Sequence, residues 1–383
     1  MTLEQVVKRK FVFAESAADL PVGVPVIDVA TFKETSENLI NGGFVLQMKG
    51  FNRPERLARK RSQQASGRLG SAGHRRISEG AIMTFDNLPQ GLSLDLKDAS
   101  SIFWTSDSRG MYVDDVNRKI YFGAVNEVMV LDMDSKDAYQ VASSAMSPLA
   151  FVHSIDLSAD KKKLLLTSAG FDMIVEVGLE DREPDRYWLA NEGTLPSGDL
   201  PSSSKVKERG GAAIEKVVDR TGMATHIGGL GLPPAQRVAF PNGASYIDEN
   251  RILATFFHQG LAEINLETGQ SRSIDLSLSH PHAPLRFGDG FIVTDTGNGR
   301  AVVLNSDLEP STIIDFKNLA DMNLSVGGHG EWLQYVGPVN ATDKKILAVD
   351  SNKESLVVVD LENQVYNQIH LNSNWVIQEA HAL

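Results

Sequence analysis

The chain contains no cysteine. That excludes disulfides, thiolate zinc sites, iron–sulfur clusters and cysteine nucleophiles, and it leaves the redox compartment undetermined. No apolar run approaches the roughly 20 residues that a membrane-spanning helix needs. Met1 to Lys10 carries charges but no apolar segment of the kind that marks a secretory leader. The expectation is a soluble, cytoplasmic protein. Basic charge is in deficit, with 37 Lys and Arg against 49 Asp and Glu and a net charge of -12. A surface of that sign argues against nucleic acid as a partner, because phosphate binding needs a basic face. The familiar catalytic signatures are missing as well: there is no GxSxG elbow, no GxxxxGK[ST] loop and no HExxH pair.

Long helical periodicity is nearly absent too, and what replaces it is a succession of short strands bounded by Gly, Asn, Asp and Pro. From about Ser101 onward these recur in one order. RGMYVDDVNRKIYFGAVNEVMVL from Arg109 reads as strand, polar turn, strand, short turn, strand. HSIDLSADKKKLLLTSAGFDMIVEV from His153 has the same layout, as do the stretches opening at Asn242, His282 and His329. The blocks begin 44, 89, 40 and 47 residues apart. A period of about 40–50 residues with four short strands per unit marks propeller blades, which bury their faces by packing on one another.

The expectation is therefore an all-β chain, 1–383 forming a single β-propeller domain. Six blades is the best count, with five or seven as the alternatives. Val26 to Asp98 supplies one blade, with strands near Gly43–Lys49 and Ala81–Phe85, and Trp375 to Ala380 pairs with N-terminal strands to close the ring. The 89-residue interval reads as a long insertion or lid over 191–235, because Asn191 to Gly211 has almost no strand character. A basic excursion over 49–80 stands apart: Lys49 to Arg76 has nine Lys or Arg and a single acid, Glu55. It reads as a solvated excursion in the first blade, the alternative being a loop that holds an anionic group, and it ends in Arg75-Arg76-Ile77-Ser78, the pattern of an arginine-directed kinase site.

In a propeller the residue that opens each innermost strand faces the axis. Aligning the blocks puts Asp107 or Ser108, His153, Asn242, His282 and His329 in one ring, and His258 joins them from the loop after Phe256-Phe257. Neutral imidazoles converging on one point make a site for a divalent ion such as Zn²⁺, Fe²⁺ or Mn²⁺. Such an ion would polarise a carbonyl or acidify a bound water. On this reading His153, Asn242, His282 and His329 are the metal ligands, and His258 and His282 are the catalytic candidates. Each of these histidines taken alone would equally serve as a cap hydrogen-bonded to a neighbouring loop. Asp132, Asp295 and Asp350 recur at strand ends, where carboxylates stabilise turns.

Phe240-Pro241-Asn242-Gly243, followed by a strand, a polar turn and Ile252–Thr255, resembles the Pro-Asn-Gly motif of gluconolactonase and senescence-marker-protein type propellers. Gly290 to Leu304 is similar to NHL-type repeats. His153-Ser154-Ile155-Asp156 with Ser158–Leu166 resembles the repeat of streptogramin lyases. The resemblance spans Phe151 to Asp360 and lies in repeat texture. It implies a metal-binding role for Asn242, and by the lyase pattern Mg²⁺ and base roles near His282 and His329. The acidic ligands of the gluconolactonase group are not evident, which puts calcium-dependent lactone hydrolysis in doubt. The leading expectation is a metal-dependent lyase, isomerase or hydrolase acting on a small polar molecule, using Fe, Zn, Mn or Mg. The rivals are a non-catalytic propeller that binds a ligand or protein, and a histidine-ligated non-haem iron oxygenase.

Overall fold

The computed structural model describes residues 23–56, 58, 77–89, 93–143, 147, 149–190, 203–204, 237, 239–257, 260–320, 332–340 and 344–383. Six antiparallel sheets, each built on four strands, are the blades of a β-propeller. The first blade runs Arg109–Asp114, Lys119–Gly123, Glu127–Asp132 and Ala138–Ser143. The second holds Val152–Leu157, Lys163–Ser168, Met173–Gly178 and Pro184–Ala190; the third holds Pro241–Tyr246, Arg251–Phe256, Gly260–Asn265 and Ser271–Ile274. The fourth holds Pro281–Phe287, Gly290–Asp295, Arg300–Leu304 and Pro310–Asp315; the fifth holds Leu333–Pro338, Lys345–Asp350, Ser355–Asp360 and Val365–Leu371. The sixth is made from both ends of the chain: Val376–Ala382 pairs antiparallel with Phe44–Gly50, which is followed outward by Glu79–Phe85 and Ser101–Ser106. The expected blade count and the closing strand are both present.

The middle strands of a blade are covered on both faces and so read as continuous apolar runs. Leu164-Leu165-Leu166, Ile252-Leu253-Ala254 and Val357-Val358-Val359 are all fully buried. The described residues fall into two compact units, one holding those within 54–78 and 109–274 and the other those within 23–53, 79–108 and 275–383. In the first, a single apolar cluster runs from Tyr121 through Trp188 to Leu266. In the second, two clusters are centred on Phe44, Leu347 and Ile377 and on Ile292, Phe316 and Val357.

Short parallel strands cover some outer edges. Val26–Asp28 lies along Pro310–Asp315, and Lys33–Glu34 and Ser93–Leu94 lie along Val365–Leu371. An unpaired edge strand templates association, so covering it protects the blade. The strand-end acids serve the turns as expected: the Asp132 carboxylate accepts from the backbone N–H groups of Asp134 and Ser135, and Asp350 from those of Asn352 and Lys353. Within the 89-residue interval, Ser203–Ser204 adds a short strand to the outer edge of the second blade. The rest of the expected lid, and most of the basic excursion, lie outside the described residues. Among the described residues no helix is long and apolar enough to cross a membrane.

Candidate ligand site

In all six blades the pairing of the first strand with the second is interrupted within its opening residues. A bulge of this kind leaves a residue outside the ladder and re-aims its side chain. The second strands end at Gly123, Ser168, Phe256, Asp295, Asp350 and Gly50. Their ladder partners are Arg109, Val152, Pro241, Pro281, Leu333 and Val376. The next residues are Gly110, His153, Asn242, His282, Gln334 and Ile377; those of the first, second, third and fifth blades lie outside the ladder, whereas His282 and Ile377 still pair, with Thr294 and Met48.

His153, Asn242 and His282 thus occupy matching positions. Asp107 and Ser108 precede the strand, and Gly110 holds their expected place. In the fifth blade that place belongs to Gln334, whose side-chain oxygen accepts from the Trp332 indole N–H at 2.9 Å. The block alignment expects His329 at this place, whereas the blade's first strand begins at Leu333. His329 and His258 themselves lie outside the described residues.

Backbone strain gathers at the same openings. Phe151, Phe240 and His280 directly precede their strands with φ of 52°, 51° and 53°. The left-handed region is costly for bulky side chains and persists only where the surroundings impose it. Gly110, with φ of 66°, is required sterically as well: a Cβ there would lie 2.7 Å from the Cα and N of Ser154.

In the first unit these openings assemble one cluster. His153 is buried, its Nδ1 is 3.2 Å from the Asn242 carbonyl oxygen, and its ring meets Phe240 edge-on at 6.2 Å. Facing a carbonyl, Nδ1 carries the proton, which leaves the lone pair on Nε2. Asn242 is likewise buried. The backbone N–H of Phe240 donates to the Asp172 carboxylate at 2.8 Å, and this fixes the strained turn. Two buried arginines complete the cluster. The guanidiniums of Arg109 and Arg237 lie 4.9 and 5.3 Å from the centroid of the Phe151 ring, and Arg237 also lies 5.1 Å from that of Phe240. Aromatic faces attract guanidinium and hold it in a defined plane.

The second unit carries a different set. His282 is buried, with Nδ1 at 2.9 Å from the His280 carbonyl oxygen and 2.8 Å from the Thr296 hydroxyl. Burial first, then the nearby Lys49 ammonium, push its pKa down to about 3. The imidazole is therefore neutral across the physiological range, a better lone-pair donor than general base. Lys49 donates to the Gln378 side chain at 3.2 Å, and Gln47 donates to the Ser108 hydroxyl at 2.9 Å. His381, which looks peripheral in the sequence, has Nε2 3.3 Å from both the buried Tyr335 hydroxyl and the Glu379 carboxylate. Burial, then Glu379, raise the Tyr335 pKa well above its ordinary value.

Among the described residues no group of three or more His, Asp or Glu side chains is arranged to hold a metal ion. The arginine pair and Phe151 were not singled out from the sequence. Arg109 opens a strand and Arg237 closes the insertion, so nothing local links them, although the block alignment could have flagged Arg109 beside the ring position.

No protein-family model matches the chain, and no curated protein matches it. Solved propellers do. A structure of a nidogen/laminin complex is 11% identical, with 89% of this chain and 99% of that chain covered and a TM-score of 0.49. Virginiamycin B lyase from Staphylococcus aureus is 11% identical over 69% of each chain, with a TM-score of 0.41. A chain of the mitotic checkpoint complex is 9% identical over 68% of this chain and 77% of that one, with a TM-score of 0.39. At such identities the likeness is one of fold alone.

Proposed function

We propose that this propeller binds a small polar molecule bearing a carboxylate or phosphate, at the strand openings of its first three blades. The observation that carries the reading is the pair of buried guanidiniums stacked on Phe151, beside His153 and Asn242. Planar, permanently charged forks held in place lose little entropy on engaging an oxyanion, and they match its geometry better than an ammonium does. The buried Asp172 carboxylate moderates the local charge, so one anionic group, rather than a highly charged one, suits the site. The test is a thermal-shift titration with inorganic phosphate, citrate and a phosphate monoester at low salt. At least one should raise the melting temperature, Arg237→Lys should weaken the effect and Arg237→Met should abolish it. No shift with any of the three, or shifts that survive Arg237→Met, would overturn the reading.

A second reading, metal-assisted lyase, isomerase or hydrolase chemistry on a small polar substrate, draws support from His282, whose neutral ring presents its lone pair at Nε2. The described residues do not by themselves supply a three-donor set, so no reaction step is assigned through a metal. Elemental analysis of the purified chain and of His282→Ala and His329→Ala decides the point. Stoichiometric metal lost in both variants supports this reading, and metal-free, stable protein removes it together with the iron-oxygenase alternative.

A further inference from the structure

We propose that Ser78 is a phosphorylation site, with Arg56 as the built-in receptor for the phosphate. The sequence places two arginines at the third and second positions before this serine, in Arg75-Arg76-Ile77-Ser78. Motif matches of this length are common, so the weight falls on the geometry. Ser78 is the last residue before the strand Glu79–Phe85 and is partly exposed. Ile77 beside it is 51% exposed. A kinase must lay its substrate out in extended form, and the end of a strand already offers that conformation on one side.

The second observation is the contact that Ser78 makes. Its Oγ accepts a hydrogen bond from Nη2 of Arg56, a residue in helical conformation. A neutral hydroxyl gains little from a guanidinium. A phosphate on the same oxygen adds a charge near −2 and three strong acceptors, and it forms charge-assisted, bidentate bonds with arginine. Glu55 and Glu79 are exposed. In the step itself, the Ser78 oxygen forms a bond to the γ-phosphorus of a nucleoside triphosphate. The bond from that phosphorus to the β-bridging oxygen breaks, nucleoside diphosphate leaves, and the hydroxyl proton passes to the kinase's base.

The experiment incubates the folded, full-length chain with magnesium ATP and the catalytic subunit of cyclic-AMP-dependent kinase, an arginine-directed serine kinase. Tandem mass spectrometry should map one phosphate to Ser78, and Ser78→Ala should remove it. Trypsin cleavage after Arg56 should then slow by roughly tenfold, as expected for an arginine engaged in one or two charge-assisted bonds. Arg56→Gln should still accept phosphate at Ser78. That variant loses the tryptic site itself, so the receptor role is read in the intact chain as a thermal shift on phosphorylation, present in the parent and absent in Arg56→Gln. Phosphate found on other serines, modification of Ser78 only after denaturation, or an equal thermal shift in Arg56→Gln would overturn the proposal.

Discussion

Individual positions in this propeller are decided by close backbone approach and by burial of polar groups. Gly110 is the sharpest steric case: it takes a left-handed φ, and Ser154 backbone atoms occupy the space of any side chain. Gly110→Ala should lower the unfolding free energy by about 2 kcal/mol or more, read from urea denaturation; an unchanged midpoint would contradict the geometry. His282 makes a prediction about pH. Its ordinary pKa is 6.5 and its folded pKa is about 3. Above 6.5 neither state holds the proton and the site costs nothing. As pH falls from 6.5 towards 3 the unfolded chain binds a proton that the folded chain refuses, so stability drops. A series of denaturation midpoints between pH 7 and 4.5 should fall less steeply for His282→Gln than for the parent. Equal slopes would mean that His282 is not held neutral.

Ion pairs act across whole strands as well as within turns. Glu176, on the third strand of the second blade, is buried. It accepts from Arg186 Nε and Nη2 at 2.6 and 2.8 Å and from the Tyr246 hydroxyl at 2.8 Å. Arg186 reaches on to the Asn250 side chain and the Glu249 carbonyl in the third blade. Burial and Glu176 together push the Tyr246 pKa far upward, so its hydroxyl stays a donor. Lys163 stands farther off, 3.4 Å from Glu176, so removing the arginine leaves a desolvated carboxylate with weaker compensation, which costs more than the pair itself contributes. Arg186→Met should therefore destabilise by about 3 kcal/mol, and Arg186→Met combined with Glu176→Gln should recover part of that loss. A double variant no better than the single would show that the burial penalty is not the cause.

The whole molecule depends on a strand that is last in the sequence. Val376–Ala382 forms the first strand of the sixth blade and pairs with Phe44–Gly50. It carries Ile377 and Ala380 into the apolar cluster shared with Phe44 and Met48. Ending the chain after Leu371 removes those apolar contacts and leaves Phe44–Gly50 as an open, largely buried edge that would template association. Such a truncation should elute as aggregate or lose its cooperative melt in circular dichroism. A monomer with the parent's melting curve would show that closure is dispensable.

The repeat was legible because it is local. Strand length, turn residues and apolar runs recur along the chain at blade spacing, and Trp375–Ala380 could be assigned to ring closure by pattern alone. His153, Asn242 and His282 were also picked out correctly as strand openings, since each follows a turn and begins an apolar run. His329 lies outside the described residues. The ring position falls on Gln334, and only the ladder register between Leu333 and Asp350 reveals it. The pairing of the arginines was invisible for a deeper reason. Arg109 and Arg237 meet on one phenylalanine because separate blades bring them there. Convergence of that kind is a property of packing, and no window along the sequence contains it.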